Sequence, residues 1–588
     1  MYTLGINAAF HDPAACLVHD GRVLAAAEEE RFTRIKHGKR PIPFSTYELP
    51  YHAIDYCLAE AGIRLADVDH VAYSFDPYPL LGRYRGDEEI RLPLEPSAHP
   101  TPEEWTSPWD PLFLSSIVNA PRLLESGAPF HIYDRFRDVR KAGNGNGYRY
   151  RWHFVSHHMA HAASAFFAAP FEHAAVMTLD GRGERATTTL GVGRGMAIQC
   201  LAQTDMPHSL GMLYENVTAY LGFMHSSDEF KVMALASYGG PAYLNEFRSM
   251  VRLTGDGRYT IAGSSVPELE KRFGPRRQRG EALEQHHYDI AYAAQAVLEE
   301  TVLELARLLH ASTGEKDLCL AGGVALNCVM NARLRDEGPF ERIWVQPASG
   351  DAGTALGAAL WVDAQESGRK QRAWQMDHVF LGPGYDNTEI EHFLKWSKTP
   401  YERPADIIGT AADLLAQDKI VGWFSGRLEF GPRALGSRSM LSSPIPHWMK
   451  DRINDVKGRE NFRPVAPVVL EEQAQNWFQG ASTSPFMLFT FDVQPEHVDH
   501  IPAARHVDGT ARVQTINRAQ HPAYYEVVRA FGARTGVPIL INTSFNTRGQ
   551  PIVCTPQDAV ESFWTSAMDA LVLGSFLIEK PEADGGNR

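Results

Sequence analysis

Cysteine is scarce in this chain: six in 588 residues (Cys16, Cys57, Cys200, Cys319, Cys328 and Cys554), with no CxxC pair among them. Neither a disulfide scaffold nor a zinc ribbon is suggested by that spacing. Long apolar runs are missing too. None reaches the roughly 18 residues that a membrane-spanning helix needs, and the opening MYTLGINAAFHD lacks the basic-then-apolar start of a signal peptide. The expectation is a cytoplasmic protein without membrane contact. Positive charge is in short supply, with a net charge of -14. That balance argues against wholesale nucleic-acid binding, and no nucleic-acid partner is expected, although it leaves room for a local basic pocket. No GxxxxGK[ST] loop occurs, so any ATP site must be of another type. Low-complexity tracts and heptad runs are absent.

What is present is ordinary globular material, 44% hydrophobic and 22% charged. The length calls for at least two domains. YTLGINA reads as a strand, FHDP as a turn, and AACLVHD and GRVLAAAEEE as two strands joined at Asp20-Gly21. A helix follows in ELPYHAIDYCLAEAGI, then the strand VDHVAYSF. About 170 residues later the layout recurs as FEHAAVMTLD, the turn GRGE, ATTTLGVGRG and AIQCLAQTD. The repetition predicts a duplicated α/β domain with a cleft between its halves. LCLAGGVALNCVMN and WVQPASGDAGTALGAALW each run from strand through glycines into a helix, and such turns can hold phosphate oxygens. Polar stretches around residues 365 to 405 mark a boundary. A second α/β unit follows, with the helix ADIIGTAADLLAQD, the strand KIVGWFSG, and strands in VPILINTSF and ALVLGSFLIE.

HHMAHAASAFF places His157 and His161 one turn apart on a helix face, the geometry for two imidazoles on one metal ion. With 24 histidines in the chain, roughly one such pair arises by chance, so the pair needs further ligands. His158 points about 100° away, and the HExxH glutamate is missing. Asp180 in LDGRGE and Asp351 in SGDAG could complete a set of two histidines and two aspartates. Such a mixed donor set suits Fe(II), Mn(II) or Zn(II); each aspartate could equally cap a turn. His11, in the first turn, could act as a general base.

The segment from Gly426 to Arg463 carries eight Lys or Arg against four Asp or Glu. Arg433 in FGPRALG and Arg438 in GSRS could close on a compact anion, each charged hydrogen bond contributing roughly 1.5–3 kcal/mol. A solvated basic face is the alternative. Arg512 in DGTARVQT and the cluster Asn542 to Asn546 add an arginine, hydroxyls and amides.

These segments, in this order, closely resemble the O-carbamoyltransferase family that includes the nodulation and antibiotic-tailoring (tobramycin-type) enzymes. GINAAFHDPAACLV, AEEERFTRIKH, HHMAHAASAFF, DGRGE, EFKVMALASYG, AGGVALN, GDAGTALGAAL, FGPRALGSRS, VKGRENFRPVAP, DGTARVQT and INTSFNTRGQPIV carry the resemblance, which spans residues 5 to about 553. It implies a fold of two domains. Residues 1–373 would form an actin-like ATPase domain similar to the threonylcarbamoyl-transfer protein, and 374–588 an α/β domain similar to threonylcarbamoyl-AMP synthase. It also implies the chemistry. The C-terminal domain would take carbamoyl phosphate, release carbamate and adenylate it with ATP and Mg(II). Carbamoyl-AMP would pass internally to a divalent metal site, Fe(II) by first expectation, in the N-terminal domain, for transfer to a small-molecule hydroxyl acceptor. By the same resemblance His157, His161, Asp180 and Asp351 hold the metal and His11 takes the acceptor proton. Arg433, Lys457, Arg463, Arg512 and Ser544 bind carbamoyl phosphate, Arg433 and Lys457 with a catalytic share. Lys231, Gly322, Gly323, Asn327, Asn542 and Asn546 contact nucleotide.

Departures from the family pattern are Phe230 and Ser237 in DEFKVMALASYG, where a glycine and a proline are usual, and Val465 in FRPVAP. The segment 77–147 matches no motif; it is either part of an acceptor pocket or a surface excursion. An actin-like metabolite kinase would explain the N-terminal repeat but not the basic C-terminal segment, and a non-catalytic nucleotide-binding module would leave the ligand set without a role. A homodimer is compatible with the chain, and nothing in it names the acceptor.

Overall fold

The computed structural model describes residues 1–38, 49–81, 114, 116–126 and 150–580; most of the segment 77–147 lies outside them. The chain folds as two compact units, Met1–Met376 and Asp377–Arg588. Among the described residues no helix is long and apolar enough to cross a membrane.

The first unit opens with β1 (Tyr2–Asn7), β2 (Ala14–His19), β3 (Arg22–Glu28), β4 (His70–Tyr73) and β5 (Arg151–Phe154). They form one sheet in the order β3-β2-β1-β4-β5. The first three make an antiparallel meander, and β4 and β5 run parallel to β1. Asp20 and Gly21 both have positive φ, +48° and +79°, the pair of left-handed residues whose twist suits a tight hairpin.

The second sheet contains β6 (His173–Leu179), β7 (Ala186–Arg194) and β8 (Ala197–Asp205). A separate hairpin follows, β9 (Val251–Leu253) and β10 (Tyr259–Ile261), and then β11 (Asp317–Ala321) and β12 (Arg342–Val345). The order is β12-β11-β6-β7-β8, with β6, β7 and β8 antiparallel and β11 and β12 parallel to β6. Sheet order and strand sense repeat those of the first sheet. This doubling is the one expected from the repeated strand and turn pattern of the sequence.

The halves interlock through helix Ala352–Glu366, whose AGTALGAAL stretch is small, apolar and buried throughout. A helix apolar on all sides belongs in a core. A Cβ on Gly5 of β1 would lie 1.9 Å from the Ala355 carbonyl oxygen, and one on Gly357 would lie 1.8 Å from that of Ala160 in helix His157–Phe166. Only glycine permits these backbone-to-backbone approaches. They hold β1 and the His157 helix against the Ala352 helix, so that the turn after β1, the start of the His157 helix and Asp351 meet.

The second unit contains β13 (Val421–Phe424), β14 (Arg438–Ser442), β15 (Ala466–Leu470), β16 (Thr490–Asp492), β17 (Thr510–Arg512), β18 (Gln514–Ile516), β19 (Ile539–Ser544), β20 (Ala570–Leu573) and β21 (Phe576–Glu579). Seven of them form a mixed sheet, β18-β15-β19-β14-β13-β20-β21, and β16 pairs with β17 separately. ALVLGSFLIE is two strands, because Gly574 at φ +61° turns the chain back on itself. Period-two alternation sends Trp423 into one core with Tyr524 and Phe531, and Phe424 into another with Met440, Ile453 and Phe563.

Candidate active site

Helix His157–Phe166 begins without a side-chain cap from its own Ser156. Glu184 replaces it: its Oε1 accepts from the amides of His157 (2.8 Å) and Asp76 (2.7 Å). A carboxylate at this end suits the helix dipole. The first turn is thereby pinned with both histidines facing inward. The Ser74 carbonyl accepts from His157 Nδ1 at 3.3 Å, which turns the Nε2 lone pair toward the cleft. Ser74 is itself held, donating to Asn7 Oδ1 at 3.0 Å and accepting from Thr354 Oγ1 at 2.9 Å.

The four expected ligands converge. His157 Nε2 lies 3.2 Å from His161 Nε2 and 3.4 Å from both Asp180 Oδ2 and Asp351 Oδ1. His161 Nε2 is 3.9 Å from Asp180 Oδ2 and 3.7 Å from Asp351 Oδ1. Ligands about 2.0–2.1 Å from a tetrahedral ion sit about 3.3 Å apart, so the spacing fits a transition metal. The side chains of all four residues are nearly or fully buried. His161 Nδ1 and both Asp351 oxygens have no hydrogen-bond partner among the described residues. Orphaned carboxylate oxygens in a buried site fit a cation.

Electrostatics within the cluster are strong. Burial opposes charge on His157, yet Asp351 and Asp180 hold its imidazole well above the usual histidine range. Burial and mutual repulsion oppose ionisation of Asp180, and burial opposes that of Asp351; the neighbouring imidazoles hold both carboxyls below the usual carboxylate range. His158 stands apart. It bonds Thr178 Oγ1 at 2.7 Å, and burial pushes it down to about 3, a neutral packing residue as its position on the helix implied.

His11 reaches the same cluster, its Nε2 3.7 Å from Asp351 Oδ2. Its Nδ1 lies 3.0 Å from Asp12 Oδ2, and the other oxygen of Asp12 lies 2.9 Å from His37 Nδ1. Asp12 takes the left-handed region at φ +48°, with its turn tied down by Asn7 Nδ2, which donates to the carbonyls of His11 and Asp12. Burial opposes the Asp12 charge, but His37 and His11 hold its carboxyl well below the usual range. Sequence reasoning assigned no role to Glu184, Ser74, Asn7 or His37, although DGRGE, GINAAFHDPAACLV and AEEERFTRIKH contain Glu184, Asn7 and His37.

The glycine turn after β11 also touches the cluster. The Gly323 amide donates to Asp180 Oδ1 at 2.8 Å. Gly322, at φ +95°, has no room for a Cβ against the Leu179 carbonyl. Asn327 has a structural role, since its Oδ1 accepts from Met330 N as the cap of helix Cys328–Glu337 and its side-chain amide pairs with Gln295. Lys231 pairs with Asp228 at 3.1 Å and lies 5.3 Å from the Phe223 ring centre.

In the second unit the sheet gathers the basic residues at one end. The end of β13, the start of β14, the end of β19 and the start of β15 are in register at one edge, and β18 starts there beside β15. The loop after β13 carries Arg433, Lys457 and Arg463 precede β15, Arg512 precedes β18, and Ser544 ends β19. Lys457 Nζ donates to Asn546 Oδ1 at 2.6 Å and to Ser544 Oγ at 3.2 Å. Asn542 Nδ2 donates to the Ala434 carbonyl and to Gln514, bracing the loop beside Arg433. Glu429 shapes that loop, accepting on Oε1 from the amides of Leu435, Ser437 and Arg438. Arg459, which lies in VKGRENFRPVAP but was assigned no role from the sequence, belongs to this cluster. Burial, then the Arg463 and Arg512 charges, push it down to about 9. Arg438, expected at an anion, is instead fully buried over the Phe424 ring, donating to the carbonyls of Ser425, Gly426, Ser437 and Pro383.

Comparison with known proteins agrees with these two halves. Residues 2–81 and 140–360 match the family model described as carbamoyltransferase N-terminus, and 412–580 match carbamoyltransferase C-terminus. The nodulation protein NolNO of Sinorhizobium fredii is 40% identical, over 98% of this chain and 80% of its own. An uncharacterised protein of Synechocystis is 39% identical over 98% of this chain and 97% of its own. The nodulation protein NolO of Bradyrhizobium diazoefficiens is 42% identical over 73% and 79%. Likeness to solved structures is faint and carries no weight: HypF of T. kodakarensis gives a TM-score of 0.31 at 15% identity, covering 62% of this chain and 48% of its own. With matched models over both units and relatives of this identity along the whole chain, the protein belongs to the carbamoyltransferase family.

Proposed function

We propose that this carbamoyltransferase is ATP-dependent and acts on the hydroxyl of a small molecule, a natural product by family precedent, in two steps. In the second unit carbamoyl phosphate is hydrolysed to carbamate and phosphate, and carbamate attacks the α-phosphorus of ATP, giving carbamoyl-AMP and pyrophosphate. In the first unit the acceptor hydroxyl attacks the carbamoyl carbon, a carbon–oxygen bond forms, and AMP leaves. The observation that carries the reading is the buried set of two histidines and two aspartates with His11 directly beside it.

His157, His161, Asp180 and Asp351 would hold a divalent metal, Fe(II) by first expectation, which when bound supplies Lewis-acid stabilisation of negative charge. His11 accepts the hydroxyl proton on Nε2, with Nδ1 oriented by Asp12. Asp12, shared with His37, keeps the ring in one orientation. Arg433, Lys457, Arg463 and Arg512 offset the charge of carbamoyl phosphate and ATP, the latter with Mg(II), and Ser544 and Asn546 fix the Lys457 ammonium. Arg433 and Lys457 also stabilise charge that develops during the first step. Gly322, Gly323 and Lys231 are the nucleotide contacts in the first unit.

The test is incubation of purified protein with ATP and carbamoyl phosphate, without acceptor, followed by mass detection of pyrophosphate, AMP and ADP. Pyrophosphate release that depends on carbamoyl phosphate supports the adenylation step. ADP would replace this reading with a kinase, and no turnover from folded, metal-loaded protein would replace it with a nucleotide-binding module.

A further inference from the structure

A second cluster with the composition of a metal site lies in the first unit, outside the machinery above. It consists of His70 at the start of β4, His153 in β5 and Glu366 at the end of helix Ala352–Glu366, with ligand atoms within 4.8 Å of one another. β4 pairs in parallel with β5, Ala72 opposite His153, so the two histidines are diagonal neighbours on adjacent strands. His70 Nδ1 faces His153 Nε2 at 2.9 Å.

We propose that His70, His153 and Glu366 bind a second divalent transition-metal ion, Zn(II) or a similar borderline cation, independently of the His157 cluster. Two imidazole nitrogens and one carboxylate, with water in the remaining position, form an ordinary donor set for such an ion. The two nitrogens stand 2.9 Å apart, at hydrogen-bond distance, and a tetrahedral ion between them needs them to separate by only roughly 0.4 Å. Arg151 donates to Glu366 Oε2 at 2.8 Å, which fixes the carboxylate in place and leaves it a second oxygen. His70 is buried, while His153 and Glu366 are half-exposed, so an ion can enter from solvent.

The position defines the role. β4 leaves this end of the sheet and reaches the other end at Ser74, whose carbonyl meets His157; at about 3.3 Å per residue the four intervening steps are roughly 13 Å. β5 is the edge strand of its sheet. An ion here would tie β4, the edge strand and the helix end together without touching substrate. The site is structural, and its loss leaves the chemistry unchanged.

The experiment measures metal stoichiometry in the full chain. Protein stripped with chelator is reloaded with Co(II), desalted, and read by mass spectrometry of the metal and by its visible d–d absorption. His157→Ala/His161→Ala protein should retain one Co(II) per chain with a nitrogen- and oxygen-ligand spectrum. Adding His153→Gln should remove that ion and its bands while far-UV circular dichroism stays unchanged. Glu366→Gln, at a half-exposed side chain, should weaken Co(II) binding at least tenfold in the same background. Zn(II) should raise the melting temperature of wild-type protein more than that of His153→Gln, with transfer activity equal in the two. The proposal is overturned if the His157→Ala/His161→Ala protein binds no Co(II), or if neither His153→Gln nor Glu366→Gln alters its binding.

Discussion

The cluster around His157 and the basic end of the second unit solve opposite electrostatic problems. Around His157 two carboxylates and two imidazoles are buried together, and both Asp351 oxygens lack a hydrogen-bond partner among the described residues; such a group suits a cation. At the basic end Arg459 is buried beside Arg463 and Arg512, whose charges push its own guanidinium down; positive charge gathered in this way suits an anion. The contrast teaches that a buried site shows its ligand through the charge it fails to balance. It also separates two functions that mutations should pull apart.

The largest effect belongs to the first region. Asp351→Asn removes a negative ligand while keeping the shape, and should lower carbamoyl transfer by about 1,000-fold or more, beyond what losing a supporting residue costs around a metal. Pyrophosphate release should survive within about twofold. Parallel assays of both products check this, and if pyrophosphate falls with transfer, the division of labour is broken.

His11→Asn comes next. It leaves the ligand set intact and should reduce transfer by about 100-fold, the lower part of the range for general base catalysis. Metal content, measured on the same sample, should not change. Asp12→Asn should cost about tenfold through kcat with KM unchanged, because Asp12 orients His11 and is not read as a substrate contact.

How far these regions could be read in the sequence follows the same contrast. Strand ends followed by glycine turns announced Asp180 and Asp351, and the Asp20-Gly21 hairpin was plain from its residues. Each signal is local. The supports are not: Glu184 reaches Asp76 across 108 positions, and Asn7 reaches Ser74 across 67. No periodicity or turn rule encodes pairs made by tertiary folding. Asn327 did carry a local signal, an asparagine just before a helix, but the glycines beside it drew attention to phosphate binding. Arg438 illustrates the reverse. An arginine between serines looked available for an anion, and only the sheet shows it closed against four carbonyls.

Arg512→Ala sharpens the comparison from the other side. One charged hydrogen bond of about 1.5–3 kcal/mol corresponds to a rise of roughly 10- to 100-fold in KM for carbamoyl phosphate. Transfer from chemically supplied carbamoyl-AMP should be unaffected, which a single-turnover assay measures.

The smallest effect is a stability shift with a definite sign. Arg459 has its folded value pushed down to about 9 by burial and by Arg463 and Arg512, against an unfolded value of about 12.5. Between those two values the unfolded chain binds more protons, so this group makes stability rise with pH from about 9 upward. Below about 9 it is charged in both states and its cost is fully present. A bound anion offsets that cost. Inorganic phosphate at saturating concentration should therefore raise the melting temperature by a few degrees at pH 7. The increment should shrink as pH passes through about 9, where the arginine gives up its proton instead. Arg459→Met should remove the pH dependence of the phosphate increment while keeping part of the increment itself, because Arg463 and Arg512 remain. An increment that is flat from pH 7 to 10 in wild type would show that the basic end carries no uncompensated charge, and the contrast with the His157 cluster would then fail on its cationic side.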